Sequence, residues 1–572
     1  MKKSGLLCLS VFFLTFAQSG CFAKIPLVEF TSKPNTLQFI QPQNTSLLFY
    51  TIRNNTTITL PLTYTLSNTA ANLGAPGNTC GSTLMGKSSC VLAIQYQAPS
   101  ENKTEYLTVS VDYQSRAPLS DTLTIKVDSA IACALIPTAS YQSPFCQQQY
   151  QKVLQYSPNV FNISNTNVLE EQTLGGVFGI YQKLNNEEQI CYINCGLRDL
   201  NGTAPNQYTI FELASVTKTL TTSIFGKYLV EDAVHSPTDG INTYAKPAGL
   251  ALSPNETPVT FQQLATFSGG VCFSDAPSVV QSNTDQAQNQ ANFISDINTL
   301  NPDPSTTCPN GKANIKSEYP GHLLPSHNLY SNSSVGLLGQ SLMSIKGFTV
   351  IEEGFNKWMC QNLIDVLDME RSNGCLPDQA HDQSCASAAS TCTYGSVWTN
   401  SEYASGYHIT IDKTYQKGDP FPFLPWAPAG GIRSNAFDMI KFIRANLGFS
   451  LSTNPTTEET NLIAGMQLAH QPNDYRPAPG IPTLNKGSQN PLNGPQGYAW
   501  VCQLSPTNGD NLCGKIGGHT NFRSFVGLNK SQNYGVVILF NTGAVKTDGS
   551  FTRAITPPSV GQIGTDLMEN IN

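Results

Sequence analysis

Between residues 58 and 66 apolar and polar side chains alternate: Ile58, Leu60, Leu62, Tyr64 and Leu66 interleave with Thr59, Pro61, Thr63 and Thr65. The same period runs through Leu107, Val109, Val111 and Tyr113, and through Leu123, Ile125 and Val127. Each run has one face for a core and one for water, which predicts strands. Asn, Gly and Pro clusters separate the runs at short intervals, so residues 24–130 are expected to form an all-β, immunoglobulin-like sandwich. Pro61 has no N–H to give to a ladder, which places its strand at an edge. Nothing in this stretch pairs a nucleophile with a base, and it reads as a spacer or binding module.

Residues 131–170 contain Pro137, Pro144 and Pro158, which break any long element, and are expected to be a linker. From 171 to 572 strands and helices mix. Residues 175–181 and 189–193 predict a strand pair, and Leu213, Val216, Leu220 and Ile224 recur at helical spacing. Two polar stretches, 276–320 and 372–402, read as insertions, the second held by cysteines.

The N-terminus sets the compartment. Lys2 and Lys3 precede an apolar run from Leu6 to Ala17, with a small-residue exit at Ala23. This is the layout of a secretory signal peptide over 1–23, and the run is too short for a membrane span, which needs ~20 apolar residues. Ser19-Gly20-Cys21 also offers a lipid-attachment site, but Gln18 stands where such signals place an aliphatic residue. The chain is therefore expected to be exported, to the periplasm or beyond. Of 16 cysteines, Cys8 and Cys21 leave with the signal, and the remainder suit disulfides in an oxidising compartment. Short spacings suggest Cys80–Cys90, Cys133–Cys146, Cys272–Cys308 and Cys502–Cys513, while Cys360, Cys375, Cys385 and Cys392 admit several pairings. There is no CxxC and the seven histidines lack ligand spacing, so neither a metal nor another cofactor is expected. With 32 basic and 39 acidic residues the chain is mildly acidic, which argues against a nucleic-acid partner. Charged residues are only 12% of the chain, which excludes long coiled coils.

Candidate chemistry centres on Ser215-Val216-Thr217-Lys218, at the start of the predicted helix. Three residues along a helix bring side chains to one face, so Lys218 can reach the Ser215 hydroxyl. A serine is a weak nucleophile until a neighbour takes its proton. The helix N-terminus adds unpaired N–H groups that favour a developing oxyanion. No GxSxG, HExxH, phosphate loop or GxGxxG competes with this reading.

Phe211-Glu212-Leu213-Ala214-Ser215-Val216-Thr217-Lys218-Thr219 resembles the nucleophile helix of class C β-lactamases and the related penicillin-binding DD-peptidases and esterases. The resemblance continues in order. Residues 259–270 look like the segment after that helix. Tyr330-Ser331-Asn332 looks like the family's tyrosine loop, residues 428–434 like a late loop, and Lys515-Ile516-Gly517 like its Lys-Thr-Gly strand. It covers about residues 171–572.

The resemblance implies an α+β β-lactamase/transpeptidase-like fold, an antiparallel sheet flanked by helices with a helical region beside it. It implies a serine hydrolase in which Ser215 is acylated and Tyr330 and Lys218 share removal of its proton, with the base left open between them. Lys515 would add charge beside Tyr330, Asn332 would bond Lys218 or the substrate, and the N–H groups of Ser215 and Gly518 would hold the oxyanion beside Gly517. The expected substrate is a small molecule or peptide, a β-lactam or peptidoglycan-type amide, with cell-wall association.

The departures matter. Ile516 replaces a hydroxyl that in the family helps bind a substrate carboxylate, and Asn521 and Arg523 stand where small residues are usual, Arg523 as a replacement carboxylate contact or a solvated strand end. An esterase on the same machinery, or an idle module that binds wall fragments or a protein, are the alternatives.

Overall fold

The computed structural model describes residues 26–543 and 558–569, apart from 245–258, 269–285, 300–329, 375–401, 472–496 and shorter breaks. The leader and Cys272, Cys308, Cys375, Cys385 and Cys392 lie outside the described residues.

The alternating segments are strands, arranged in two four-stranded sheets. One orders Val28–Ser32, Thr45–Asn54, Ser89–Gln97 and Ala71–Leu73; the other orders Leu37–Ile40, Leu119–Val127, Lys103–Asp112 and Thr63–Leu66. Leu107, Val109, Val111, Leu123, Ile125 and Val127 are buried, so the period of two marks the inward positions. Pro61 falls in a two-residue strand paired only with Thr83–Leu84. Cys80 bonds Cys90.

The larger unit is built on a seven-stranded sheet in the order Cys133–Leu135, Glu187–Gly196, Gly175–Leu184, Tyr534–Phe540, Arg523–Asn529, Asn511–Gly518, Val501–Leu504. Every neighbouring pair is antiparallel. The hairpin 175–196 thus docks beside a meander more than three hundred residues later. Both faces are covered, which explains why Tyr534-Gly-Val-Val-Ile-Leu-Phe540 is apolar without alternation and buried throughout. On the outer face Phe178, Ile180, Phe525, Val536 and Ile538 pack with the helices Pro144–Leu154 and Val560–Glu569. On the inner face Val177, Val526, Val537 and Leu539 pack with the helix Ala436–Asn446 and the helical region beyond it.

Residues 131–170, read from sequence as a linker, instead supply an edge strand and an outer-face helix. The expected Cys133–Cys146 bridge is replaced by Cys133–Cys195 and Cys146–Cys191. Cys133 sits directly opposite Cys195 in the ladder, and the helix brings Cys146 to the same long strand. Cys502–Cys513 forms as expected, again between opposed ladder positions. Cys360 is disulfide-bonded. Within the stretch expected to be loop-rich, Gln286–Thr299 is a helix.

The helix Thr217–Val230 runs through the helical region with Lys218, Thr219, Thr221, Thr222 and Ser223 all buried. Its hydroxyls are satisfied: Thr221 donates to the Pro428 carbonyl at 2.6 Å and Thr222 to Tyr498 at 2.9 Å. It crosses the helix Thr457–Ala469 glycine to glycine, since a Cβ on Gly226 would lie 2.2 Å from the Gly465 carbonyl oxygen. That close approach locks the nucleophile-bearing element in place. No described helix is long and apolar enough to cross a membrane.

Candidate active site

Ser215 lies in a single 3₁₀ turn, Ala214–Val216, that leads into the helix. Ala214 has φ +46°, a left-handed conformation that costs a residue with a Cβ about 1–2 kcal/mol. The strain turns the chain abruptly from the short strand Phe211–Glu212 into the helix and presents the serine at the bend. Tyr330 immediately precedes Ser331, the N-cap of the helix Asn332–Ile345, whose hydroxyl accepts from the Ser334 N–H at 3.0 Å. The phenol and the Asn332 amide therefore leave the same capped turn.

The structure brings these groups together. Tyr330 Oη donates to Ser215 Oγ at 2.6 Å, and Lys218 Nζ donates to the same oxygen at 2.9 Å. Lys218 also donates to Asn332 Oδ1 and to the Ala429 carbonyl, both at 2.7 Å. Three accepted donors match the three N–H groups of an ammonium. Lys515 Nζ stands 4.6 Å from the centre of the Tyr330 ring, and Lys218 Nζ 5.0 Å. Burial pushes the Tyr330 phenol well above its ordinary range, only slightly offset by its hydrogen bond to Ser215. Burial pulls Lys515 down to about 7, so its charge changes near neutrality. The ring of Phe267, itself at φ +61°, packs 5.0 Å from Tyr330.

The lysine strand abuts the nucleophile turn. A Cβ on Gly517 would lie 2.2 Å from the Leu213 carbonyl oxygen and 3.0 Å from the Val216 nitrogen, so only glycine fits. Next to it Ser524 donates to that same Leu213 carbonyl at 2.6 Å. Gly518 ends the strand, exposed and opposite Arg523.

Two expected residues are directed elsewhere. Ile516, paired with Phe525, packs against the outer-face cluster. Arg523, two residues before Phe525, is on that face as well and is buried in an ion pair with Glu171. Its Nε donates to the Thr542 carbonyl at 2.8 Å and its Nη2 to the Gln172 carbonyl at 2.7 Å. Neither the replacement carboxylate contact nor the solvated strand end describes it. The guanidinium fastens residues 171–172 to the sheet.

Beside the site lies a second buried cluster. Glu212, Arg433 and Tyr403 converge, with Glu212 Oε1 accepting from Tyr403 Oη at 2.6 Å and from Arg433 at 3.0 and 3.2 Å. His519 Nε2 stands 2.6 Å from the other carboxylate oxygen. Burial would raise the Glu212 carboxyl, but Arg433 and then His519 outweigh it and hold it at about 2. A charged residue inside the apolar run Phe211-Glu212-Leu213 was the available signal.

The family model for Beta-lactamase matches residues 168–554. Among solved structures, an octameric penicillin-binding protein homologue from Pyrococcus abyssi is 16% identical, with 69% of this chain and 73% of that chain covered and a TM-score of 0.48. A class C beta-lactamase from Rhodobacter sphaeroides is 17% identical, covering 69% and 94% respectively, with a TM-score of 0.46. A family match over two thirds of the chain takes in the serine turn, the tyrosine loop and the lysine strand, and on it the chain belongs to the beta-lactamase family.

Proposed function

We propose that this protein is an exported serine hydrolase that cleaves a cyclic or peptide amide, a β-lactam or peptidoglycan-type bond, through an acyl-enzyme on Ser215. The observation that carries the reading is the convergence of Tyr330 and Lys218 on one serine oxygen, with a second lysine flanking the phenol. In the first step Ser215 Oγ bonds the carbonyl carbon and its proton passes through Tyr330 to the departing amine nitrogen. Water then attacks the ester, the proton returns to Ser215, and a carboxylate leaves. With its three donors taken, Lys218 serves as a fixed cation rather than the proton acceptor. Lys218 and Lys515 flank the ring, and their charge works against the burial that disfavours a phenolate, so that the phenol can pass the serine proton on. Asn332 orients Lys218, and the N–H groups of Ser215 and Gly518 are assigned to the oxyanion. The disulfides are compatible with export.

Esterase activity is the second reading. It is favoured by the positions of Ile516 and Arg523, which leave neither side chain facing the serine to hold a substrate carboxylate.

The test is intact mass after mixing with a penicillin, in parallel with Ser215→Ala. A serine-dependent adduct that decays with hydrolysed drug supports a β-lactamase, and a persistent one supports a peptidase-like acyl-enzyme. An untouched drug together with serine-dependent ester hydrolysis supports the esterase. An adduct that survives Ser215→Ala overturns the mechanism.

A further inference from the structure

We infer that Glu212 and His519 form a clasp that positions the end of the lysine strand against the nucleophile turn, making both of them positioning residues for acylation. The inference rests on the acyl-serine reading. Glu212 belongs to the short strand that runs directly into Ala214 and Ser215, so its backbone is part of the nucleophile's own support. His519 follows Gly518, the last residue of the strand that carries Lys515. Their side chains meet at 2.6 Å in a buried setting, with Glu212 fully and His519 nearly enclosed. The one carboxylate thus spans the two backbones that the acylation step needs in fixed relation.

The clasp is braced on every side. Arg433 pairs with Glu212 through the backbone ladder as well as the carboxylate, and also donates to the carbonyls of Gly374 and Gly431 at 3.2 and 3.4 Å. Gly431 lies two residues after Ala429, the carbonyl that holds Lys218. Tyr403 donates to Glu212 from a fourth segment. His519 also closes its own turn: its N–H donates to the Phe522 carbonyl at 3.1 Å, and Nδ1 accepts from the Asn521 N–H at 3.3 Å. With Nδ1 accepting from Asn521, Nε2 is the ring nitrogen set beside the Glu212 carboxylate. Phe522 fills the centre, its ring packed on Phe211, Tyr403 and His519. A further polar tie joins the neighbouring strand to the same turn, Ser524 to the Leu213 carbonyl. The two lie on either side of the 518–523 turn, and together they hold its position and angle.

Misplacing a group by about 1 Å near the reacting atoms lowers rates on the order of a hundredfold, and an oxyanion donor is worth about as much. His519→Ala should therefore slow acylation while leaving substrate binding in place. The experiment uses the full chain and a fluorophosphonate probe: Ser215 Oγ bonds phosphorus, the P–F bond breaks, and the serine proton leaves with fluoride. Labelling is followed by intact mass, giving kinact and KI separately, with Tm measured alongside. His519→Ala is expected to lower kinact by about tenfold to a hundredfold with KI within about twofold. His519→Gln, whose amide can donate to Glu212 and accept from Asn521, is expected to recover most of that loss. Adding His519→Ala to Glu212→Gln should lower kinact by no more than about twofold further, because both changes break one contact. If Glu212→Gln fails to fold, the two His519 variants decide alone. Unchanged kinact in His519→Ala, or a His519→Gln no better than it, overturns the clasp while leaving the acyl-serine reading intact. Absence of Ser215-dependent labelling in the unmodified protein overturns that reading and the clasp with it.

Discussion

The two faces of the seven-stranded sheet make opposite uses of neighbouring residues. Along Asn511–Gly518 the inner face receives Lys515 and Gly517, and the outer face receives Ile516. Along the next strand Ser524 and Val526 go inward, Arg523 and Phe525 outward. Inside are buried cations, a phenol and hydroxyls held by directed hydrogen bonds. Outside are an apolar layer, a buried ion pair and two disulfides that pin an edge strand and a helix. The period of two in a strand therefore sorts chemistry from scaffold one residue at a time. Ile516 and Arg523, two of the positions at which this chain departs from the pattern it resembles, both fall on the scaffold side.

The inner face should fail chemically while the fold stands. Tyr330→Phe is expected to lower Ser215 labelling by about a hundredfold to ten-thousandfold, the range for losing a positioned proton-transfer group, and Lys218→Met by about a hundredfold to a thousandfold, the range for losing a fixed electrostatic donor. Lys218→Met also leaves Asn332 and the Ala429 carbonyl without a donor, so its Tm should fall and that of Tyr330→Phe should not. A Tyr330→Phe variant that labels at the full rate would remove the phenol from the mechanism.

The outer face should fail in the other order. Arg523→Met leaves the Glu171 carboxylate buried without its cation, and the Gln172 and Thr542 carbonyls without a donor. Breaking a buried pair by one partner costs about 3–5 kcal/mol. Denaturant unfolding is expected to report that loss, with labelling unchanged in the molecules that remain folded. Slowed labelling without a loss of stability would put Arg523 back in the site.

How much of this was open to a reader of the sequence follows from the range of each interaction. Helical spacing places Lys218 beside Ser215, and the ordered motifs join Tyr330, Asn332 and Lys515 to them, because those features are local or recur as strings. The strands 175–184 and 187–196 are equally local. Cys133 and Cys146 are close in sequence, but strand pairing and helix docking carry each to a different position on Glu187–Gly196, and nothing in their spacing announces that. Arg523 is misread for a related reason. Which face a strand residue takes depends on the register of the whole sheet, and its partner Glu171 lies at the far end of the domain. Glu212 and His519 join positions three hundred residues apart, so each alone looks like an isolated charge.

A smaller inner-face effect concerns pH. Burial holds Lys515 at about 7 against an ordinary value of 10.5, so its ammonium form is lost as pH rises through neutrality. That form favours the Tyr330 phenolate, and the sign is therefore a fall in acylation on the alkaline side. One unit of differential pKa is 1.36 kcal/mol, so a fall of about tenfold is expected between about pH 6 and about pH 9. Lys515→Arg keeps its charge across this range and should lack the fall. If the unmodified protein instead gains rate through pH 7, neutral Lys515 is the working form and acts as a base.

The smallest effect belongs to Ile516, where sequence and structure point to different outcomes. From sequence, the missing hydroxyl suggests that Ile516→Thr would improve recognition of a carboxylate. In the structure the side chain is half-buried against the outer cluster, paired with Phe525, while its neighbours Lys515 and Gly517 take the inner face. A threonine there exchanges a part-buried ethyl group for a hydroxyl, at a cost of about 1 kcal/mol. No new donor is presented to the serine, because the adjacent positions keep their facing. Comparison of a carboxylate-bearing penicillin with its methyl ester against Ile516→Thr and the unmodified protein separates the two. Equal ratios of activity on acid and ester, with Tm a few degrees lower, are expected. A rise in that ratio would mean that the strand edge turns this side chain toward the substrate, and the clean division between the faces would end one residue short of Gly517.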